Sequence, residues 1–174
     1  MKLSQLLPGD CPVFYHTYLD TLKPGVELLE YLENQQTNFP AFLTSIPEDK
    51  MGYRYAADKW TVAEVLVHIT DAERVFQYRA LRFGRKDETP LPGFDQDPWV
   101  VHSKASSWDK ARILEEYRVV RESTLSLFRQ FTEDDLRWKG TASGYPVSLG
   151  AVGFIICGHQ RHHRNILRAR YLDR

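Results

Sequence analysis

Four stretches of the chain carry an apolar stripe at helical spacing, and segments rich in proline, glycine and charge separate them. The first helix is predicted to begin near Pro24, a residue tolerated at the first helical position. Its stripe is Leu29, Leu32, Gln36, Phe39, Leu43 and Ile46. Pro40 interrupts it, because its ring clashes with the carbonyl four residues back, so one kinked helix or two short ones are expected. The second helix has the clearest start: Thr61-Val62-Ala63-Glu64 is a capping box, and Trp60 and Val65 are placed as a hydrophobic staple. It runs to about Arg85 with Val62, Val65, Ile69, Ala72, Phe76 and Phe83 facing inward. The third helix, capped by Ser106 or Ser107, reaches about Phe131 through Ile113, Tyr117, Val120, Thr124, Leu127 and Phe131. The last is capped by Ser148 and extends to Asp173, with Leu149, Val152, Ile156, His159, His163 and Ile166 as its seam.

Between these stretches the pattern is different. Residues 1–22, with Pro8, Gly9 and Pro12, read as an extended or irregular lead-in whose Phe14, Tyr15, Tyr18 and Leu22 lie against the helices. Gly84 to Ser106 holds three prolines and the acids Asp87, Glu88, Asp95 and Asp97, which exclude a long helix and leave room for a short turn near Asp97 to Ser103. A loop of this length is either a functional cover or a plain crossover. Asp134-Asp135 begins a polar connection, and Gly140 to Pro146 reads as a turn-rich loop. No segment alternates convincingly as a strand. The expected fold class is all-α: one four-helix-bundle domain spanning residues 1–174, with a longer crossover between its second and third helices.

The seam of the last helix contains the chemistry. His159 and His163 sit four apart on one face, where core residues belong, and two imidazoles so placed can reach one metal ion. The zinc-peptidase motif is absent, since Gln160 stands where that motif needs Glu. Two readings stay open from this helix alone: a metal pair, or core histidines satisfied by hydrogen bonds. His162 lies toward the edge and reads as a surface residue. His68 falls at the edge of the second helix's stripe, with Asp71 one turn further on, where it could orient the imidazole. Taken alone, His68 reads as a boundary histidine.

Composition narrows the field without choosing a function. Lys plus Arg and Asp plus Glu are 23 each, so the net charge is zero and gives no reason to expect a nucleic-acid or anionic-membrane partner. The arginines of the last helix (Arg161, Arg164, Arg168, Arg170 and Arg174) read as cations favoured near a helix C-terminus. Cys11 and Cys157 are far apart and form neither a disulfide framework nor a structural zinc pattern. The first ten residues hold no apolar leader and no run approaches the roughly 18 apolar residues of a membrane span, so a cytoplasmic protein is expected.

Four stretches together resemble the DinB-like superfamily: Lys59–Arg85, Thr89–Val100, Gly140–Val152 and Gly158–Tyr171. Helix order and loop positions agree with that family from about Pro24 onward. The resemblance implies a four-helix bundle and a histidine triad, one histidine on the second helix and an HxxxH pair on the last. Residue by residue these fall on His68, His159 and His163. It further implies one divalent transition metal, zinc, nickel or iron, because all-nitrogen ligation suits these ions better than magnesium or calcium. A homodimer is also implied by the resemblance. Family members include metal-dependent hydrolases and transferases that use low-molecular-weight thiols, so a small-molecule substrate, with a thiol as co-substrate, is expected. No general base is placed by motif; Asp95, Asp97, Tyr78 and Gln160 are weaker suggestions for substrate or water contact. The alternatives are a non-catalytic metal- or small-ligand-binding bundle of stress-related role, and a purely structural bundle.

Overall fold

The computed structural model describes residues 1–172. Four long helices close a ring: α2 (Leu28–Ser45), α3 (Val62–Gly84), α5 (Lys110–Phe128) and α7 (Leu149–Ile166). Helix α3 packs on α7 and α5, and α2 packs on the same two from the opposite side. Shorter elements fill the connections: α1 (His16–Leu19), α4 (Gln96–His102), α6 (Glu133–Arg137), and the strands β1 (Lys139–Ala142) and β2 (Tyr145–Ser148). Past Ile166 the last helix widens into a π-helical turn over Leu167–Leu172. Its expected end at Asp173 lies outside the described residues.

The inward stripe of α3 is buried as its spacing predicts; α7 is buried on all faces from Leu149 to Gln160, and its stripe residues His163 and Ile166 are half-buried. Thr61 and Ser148 cap the two helices through bonds from Glu64 and Ala151 backbone N–H groups. Other expectations need correction. The first long helix starts at Leu28, not near Pro24, because an isolated bridge to Lys2 holds Glu27 extended. Its buried face is Leu28, Leu32, Gln35, Phe39 and Leu43, which leaves Leu29 exposed and Gln36 half-buried. Pro40 lies inside a single helix rather than dividing it in two.

Helix α5 is capped by Asp109, whose carboxylate accepts from Arg112 N at 2.7 Å. Ser106 and Ser107 belong instead to a preceding 3-10 turn, reoriented by Lys104 at φ 55°. The helix stops at Phe128, since a new capping box of Thr132 and Asp135 opens α6 just beyond. The largest departure is the hairpin β1–β2, in a segment expected to be loop. Its two-residue tip, Ser143 and Gly144, has both φ values positive, 53° and 82°, which suits a tight turn between right-twisted strands. Four-residue strands with Pro146 on the outer one give almost no alternating signal, and proline is tolerated there because the strand is an edge.

The lead-in is also more ordered than expected. It forms 3-10 turns and then α1, which lies across α7 with Leu19 and Leu22 buried, while Phe14 stays half-exposed. Gly158 permits this crossing: a Cβ there would stand 2.5 Å from the Tyr18 carbonyl oxygen. The crossover loop is tied to the hairpin by Leu91, whose N–H donates to Thr141 O and whose carbonyl accepts from Ser143 N, both at 2.9 Å. Among the described residues, no helix is long and apolar enough to cross a membrane.

Candidate metal centre

Packing of α3 against α7 brings His68, His159 and His163 together. Their ring nitrogens lie within 4.8 Å of one another. His159 Nε2 is 3.1 Å from His68 Nε2 and 3.1 Å from His163 Nε2. His68 was placed by pattern at a stripe edge; in the fold it is 8% exposed, because Trp60 lies against its ring at 4.8 Å and α7 covers the other side. Tyr18 stands edge-on to His159 at 5.1 Å and closes the cluster from α1. The same tyrosine packs on His162, which is half-buried rather than a free surface residue.

Burial keeps all three rings neutral near pH 7. Desolvation pulls His68 down to about 4. It pulls His163 down to about 3, aided by His68 and His162. His159 lies well below its ordinary value for the same reason, with the neighbouring imidazoles adding to the effect. A neutral imidazole has one N–H and one lone pair. If the hydrogens sit on Nδ1, three lone pairs converge on one point. If His159 carries its hydrogen on Nε2, it can donate to one neighbour and leaves the other unsatisfied; if both neighbours carry theirs on Nε2, two donors compete for its single lone pair. Hydrogen bonding within the triad therefore cannot satisfy it, whereas a cation that accepts three lone pairs does. The residues fit a divalent metal on the chemistry of the donor set.

The triad lines a cavity of about 320 Å³ whose walls include Phe14, Tyr15, Trp60, Phe76 and Phe94. Its polar groups other than the histidines are Tyr15, Tyr18, Arg79, Gln96 and Ser143. Among the described residues that line it, none is Asp or Glu. This corrects several expectations. Asp71 pairs with Arg74 at 3.1 Å instead of orienting His68. Asp95 caps α4 by accepting from Asp97 N at 3.1 Å, and it is Gln96, between these two acids, that faces the cavity. Tyr78 is exposed and bonded to Arg82, and Gln160 lines a separate cavity with Tyr31, Gln35 and Arg164. Neither cysteine is a candidate nucleophile: Cys157 is fully buried and desolvation pushes its thiol up to about 12, and burial and Asp10 raise Cys11.

Pattern alone did not single out Tyr18, Phe76, Arg79, Gln96 and Ser143 as cavity residues. Two of them could have been found by helical period. Arg79 follows His68 by eleven positions, close to three full turns, and Phe76 follows it by eight, about 80° past two turns but still on the same broad face.

No curated protein sequence matches the chain significantly. Among solved structures, YfiT from Bacillus subtilis is similar in fold, with a TM-score of 0.71 at 16% identity over 84% of this chain and 91% of that one. YfiT is described as "a probable metal-dependent hydrolase with an unusual four-helix bundle topology". The model of the DinB superfamily matches residues 31–167. That match runs from α2 to the turn after α7 and takes in all three histidines, and the chain belongs to the DinB superfamily.

Proposed function

We propose that His68, His159 and His163 hold one divalent transition-metal ion through Nε2, and that the protein is a metal-dependent enzyme acting on a small molecule in the aromatic cavity. The observation that carries this reading is the convergence of three neutral imidazoles that cannot all satisfy one another, in the wall of an open cavity. When bound, an ion with only three protein ligands supplies Lewis acidity and open positions for activating water or a thiol. Zinc, nickel and iron(II) all suit such a donor set.

The chain's own residues favour thiol transfer over hydrolysis. No carboxylate among the described cavity-lining residues is available as a general base, and the histidines are occupied as ligands. A thiol, with an ordinary pKa near 8.5, ionises at neutral pH far more readily than water and needs no such base. Trp60, Phe76 and Phe94 give an apolar wall that excludes water from the reacting centre, and Tyr18 shields His159 from the α1 side. Hydrolysis is the second reading, supported by the description of YfiT.

Elemental analysis tests the metal. Untagged protein purified without chelator is expected to hold about one equivalent of a transition metal, absent from the His68→Ala/His159→Ala variant. The loaded protein is then assayed with an electrophilic aromatic halide plus a small thiol, and separately with an activated ester. Conjugate formation that is lost in His159→Ala supports thiol transfer, and ester cleavage without conjugation supports hydrolysis. Protein that takes up no metal even on reconstitution at neutral pH sinks both.

A further inference from the structure

Among the described residues lining the cavity, Arg79 alone carries a formal charge while the histidines are neutral. It is 3% exposed, yet no carboxylate lies within ion-pair distance of it among the described residues. Its guanidinium donates only to neutral acceptors: Tyr15 Oη at 3.3 Å, Pro92 O at 3.1 Å and Ser143 Oγ at 2.9 Å. The rings of Phe76 and Phe94 flank it at 5.5 and 5.9 Å.

The other fully buried arginine of the bundle shows what a structural one looks like. Arg121 is 0% exposed and is forked onto Glu73 at 2.7 and 2.8 Å, with further bonds to Gln35 and to the Leu32 carbonyl. A buried charge is costly without a counter-charge, and Arg121 has one. Arg79 is instead held by three separate segments, the lead-in, the crossover loop and the hairpin tip, which fix its position and leave its charge uncompensated. It sits about three turns beyond His68 on the same face of α3, which at 1.5 Å per residue is about 16 Å along the axis. Its side chain leans back toward the helix N-terminus, toward the triad.

We propose that Arg79 is the anion-recognition residue of this cavity, and that the substrate is a small molecule with an aromatic or aliphatic body and a carboxylate at the end remote from the histidines. One guanidinium balances one negative charge, which favours a carboxylate over a phosphate dianion. Nε–H and one Nη1–H of the guanidinium are not used by Tyr15, Pro92 or Ser143, and a carboxylate oxygen can accept from them. The apolar rings between the two ends take the body of the ligand. The proposal rests on the metal reading only for which end of the ligand faces the triad.

The test titrates phenylacetate, neutral phenylacetamide and phenyl phosphate into metal-free and cobalt(II)-loaded protein, following binding by isothermal titration calorimetry and the cobalt absorption bands. Phenylacetate is expected to bind both forms and to be preferred over the amide and the phosphate. In Arg79→Met its affinity should fall about ten- to a hundredfold, the size of one lost charge-assisted hydrogen bond, while the amide is unaffected. Arg79→Lys should recover part of the loss. Urea unfolding checks that the variants are folded. Should Arg79→Met not fold, the carboxylate-over-amide preference of wild type and its weakening in Arg79→Lys decide alone. Equal affinity for acid and amide, no saturable binding of phenylacetate, or an Arg79→Met affinity equal to wild type overturns the proposal. Cobalt uptake with no Arg79 dependence removes this inference and leaves the metal reading. Arg79-dependent binding without cobalt uptake does the reverse.

Discussion

Two polar clusters lie inside the same bundle, both built on α3, and they are made on opposite terms. Glu73 follows His68 by five residues, which turns it roughly 140° around the helix and into the interface with α2 and α5. There it accepts two bonds from Arg121 and one from Thr124 Oγ1 at 2.8 Å. Gln35 links Arg121 to the Cys157 carbonyl, and Tyr117 donates to the Gln35 carbonyl at 3.1 Å. The carboxylate, the guanidinium, the amide and the hydroxyls of this cluster all have partners within it, and it opens onto no cavity of the triad. The His68–His159–His163 cluster has the opposite character: lone pairs that converge, no internal donor for all of them, and a cavity at its side. Buried polarity that is complete within the protein fixes the fold. Buried polarity that is incomplete and reachable marks a place where something else binds.

The contrast can be broken most forcefully at Glu73. Glu73→Ala leaves Arg121 charged, buried and unpaired, and is expected to cost about 3–5 kcal/mol, read from urea or thermal unfolding. A cost below about 1 kcal/mol would show that the network is not the closed structural unit its bonds describe.

Acid should act next, and on the triad. In metal-free protein burial holds His68 near 4, against about 6.5 in an unfolded chain. Between those values the unfolded state binds the additional proton, so stability rises with pH across the window and is complete above about 6.5. Lowering the pH from 6.5 to 4 should therefore remove about 3 kcal/mol through His68 alone. His163, displaced in the same direction, extends the loss further down. Urea midpoints measured against pH should show a shallower slope in His68→Leu than in wild type; identical slopes would contradict the assigned burial.

The smallest effect should come from His159→Leu in the absence of metal. A buried ring that its neighbours cannot satisfy is exchanged for an apolar side chain, so the stability should stay within about 1 kcal/mol of wild type or rise. Added metal should then raise the melting temperature of wild type and leave the variant unchanged. A variant destabilised as strongly as Glu73→Ala would place the triad in the same structural class as the arginine network.

Several parts of the fold were legible residue by residue. The capping box at Thr61, the Ser148 cap and the seam of α3 are local patterns, and they stand where the pattern puts them; α7 is buried all round as far as Gln160, so its seam is only part of its buried surface. The hairpin and α6 were not legible, because four- and five-residue elements are stabilised by partners distant in sequence, such as Leu91 against Ala142. The Arg121–Glu73 pair escaped notice for a related reason: charged residues within amphipathic helices read as solvent-facing until a partner helix is known. Asp71 failed as a partner for His68 because adjacency on one helix surface does not decide between two competing partners, and Arg74 was nearer in effect.

By itself the sequence determined an all-α bundle and an HxxxH pair aimed into its interior, since helix period and side-chain direction are local properties of the chain. Which third histidine meets that pair, that no carboxylate lines its cavity among the described residues, and that Arg79 lines the same cavity with no counter-charge among them were decided only by tertiary structure. Each depends on the rotation of one helix against another and on where a loop and a hairpin come to rest, and packing fixes those relations between residues far apart in the chain.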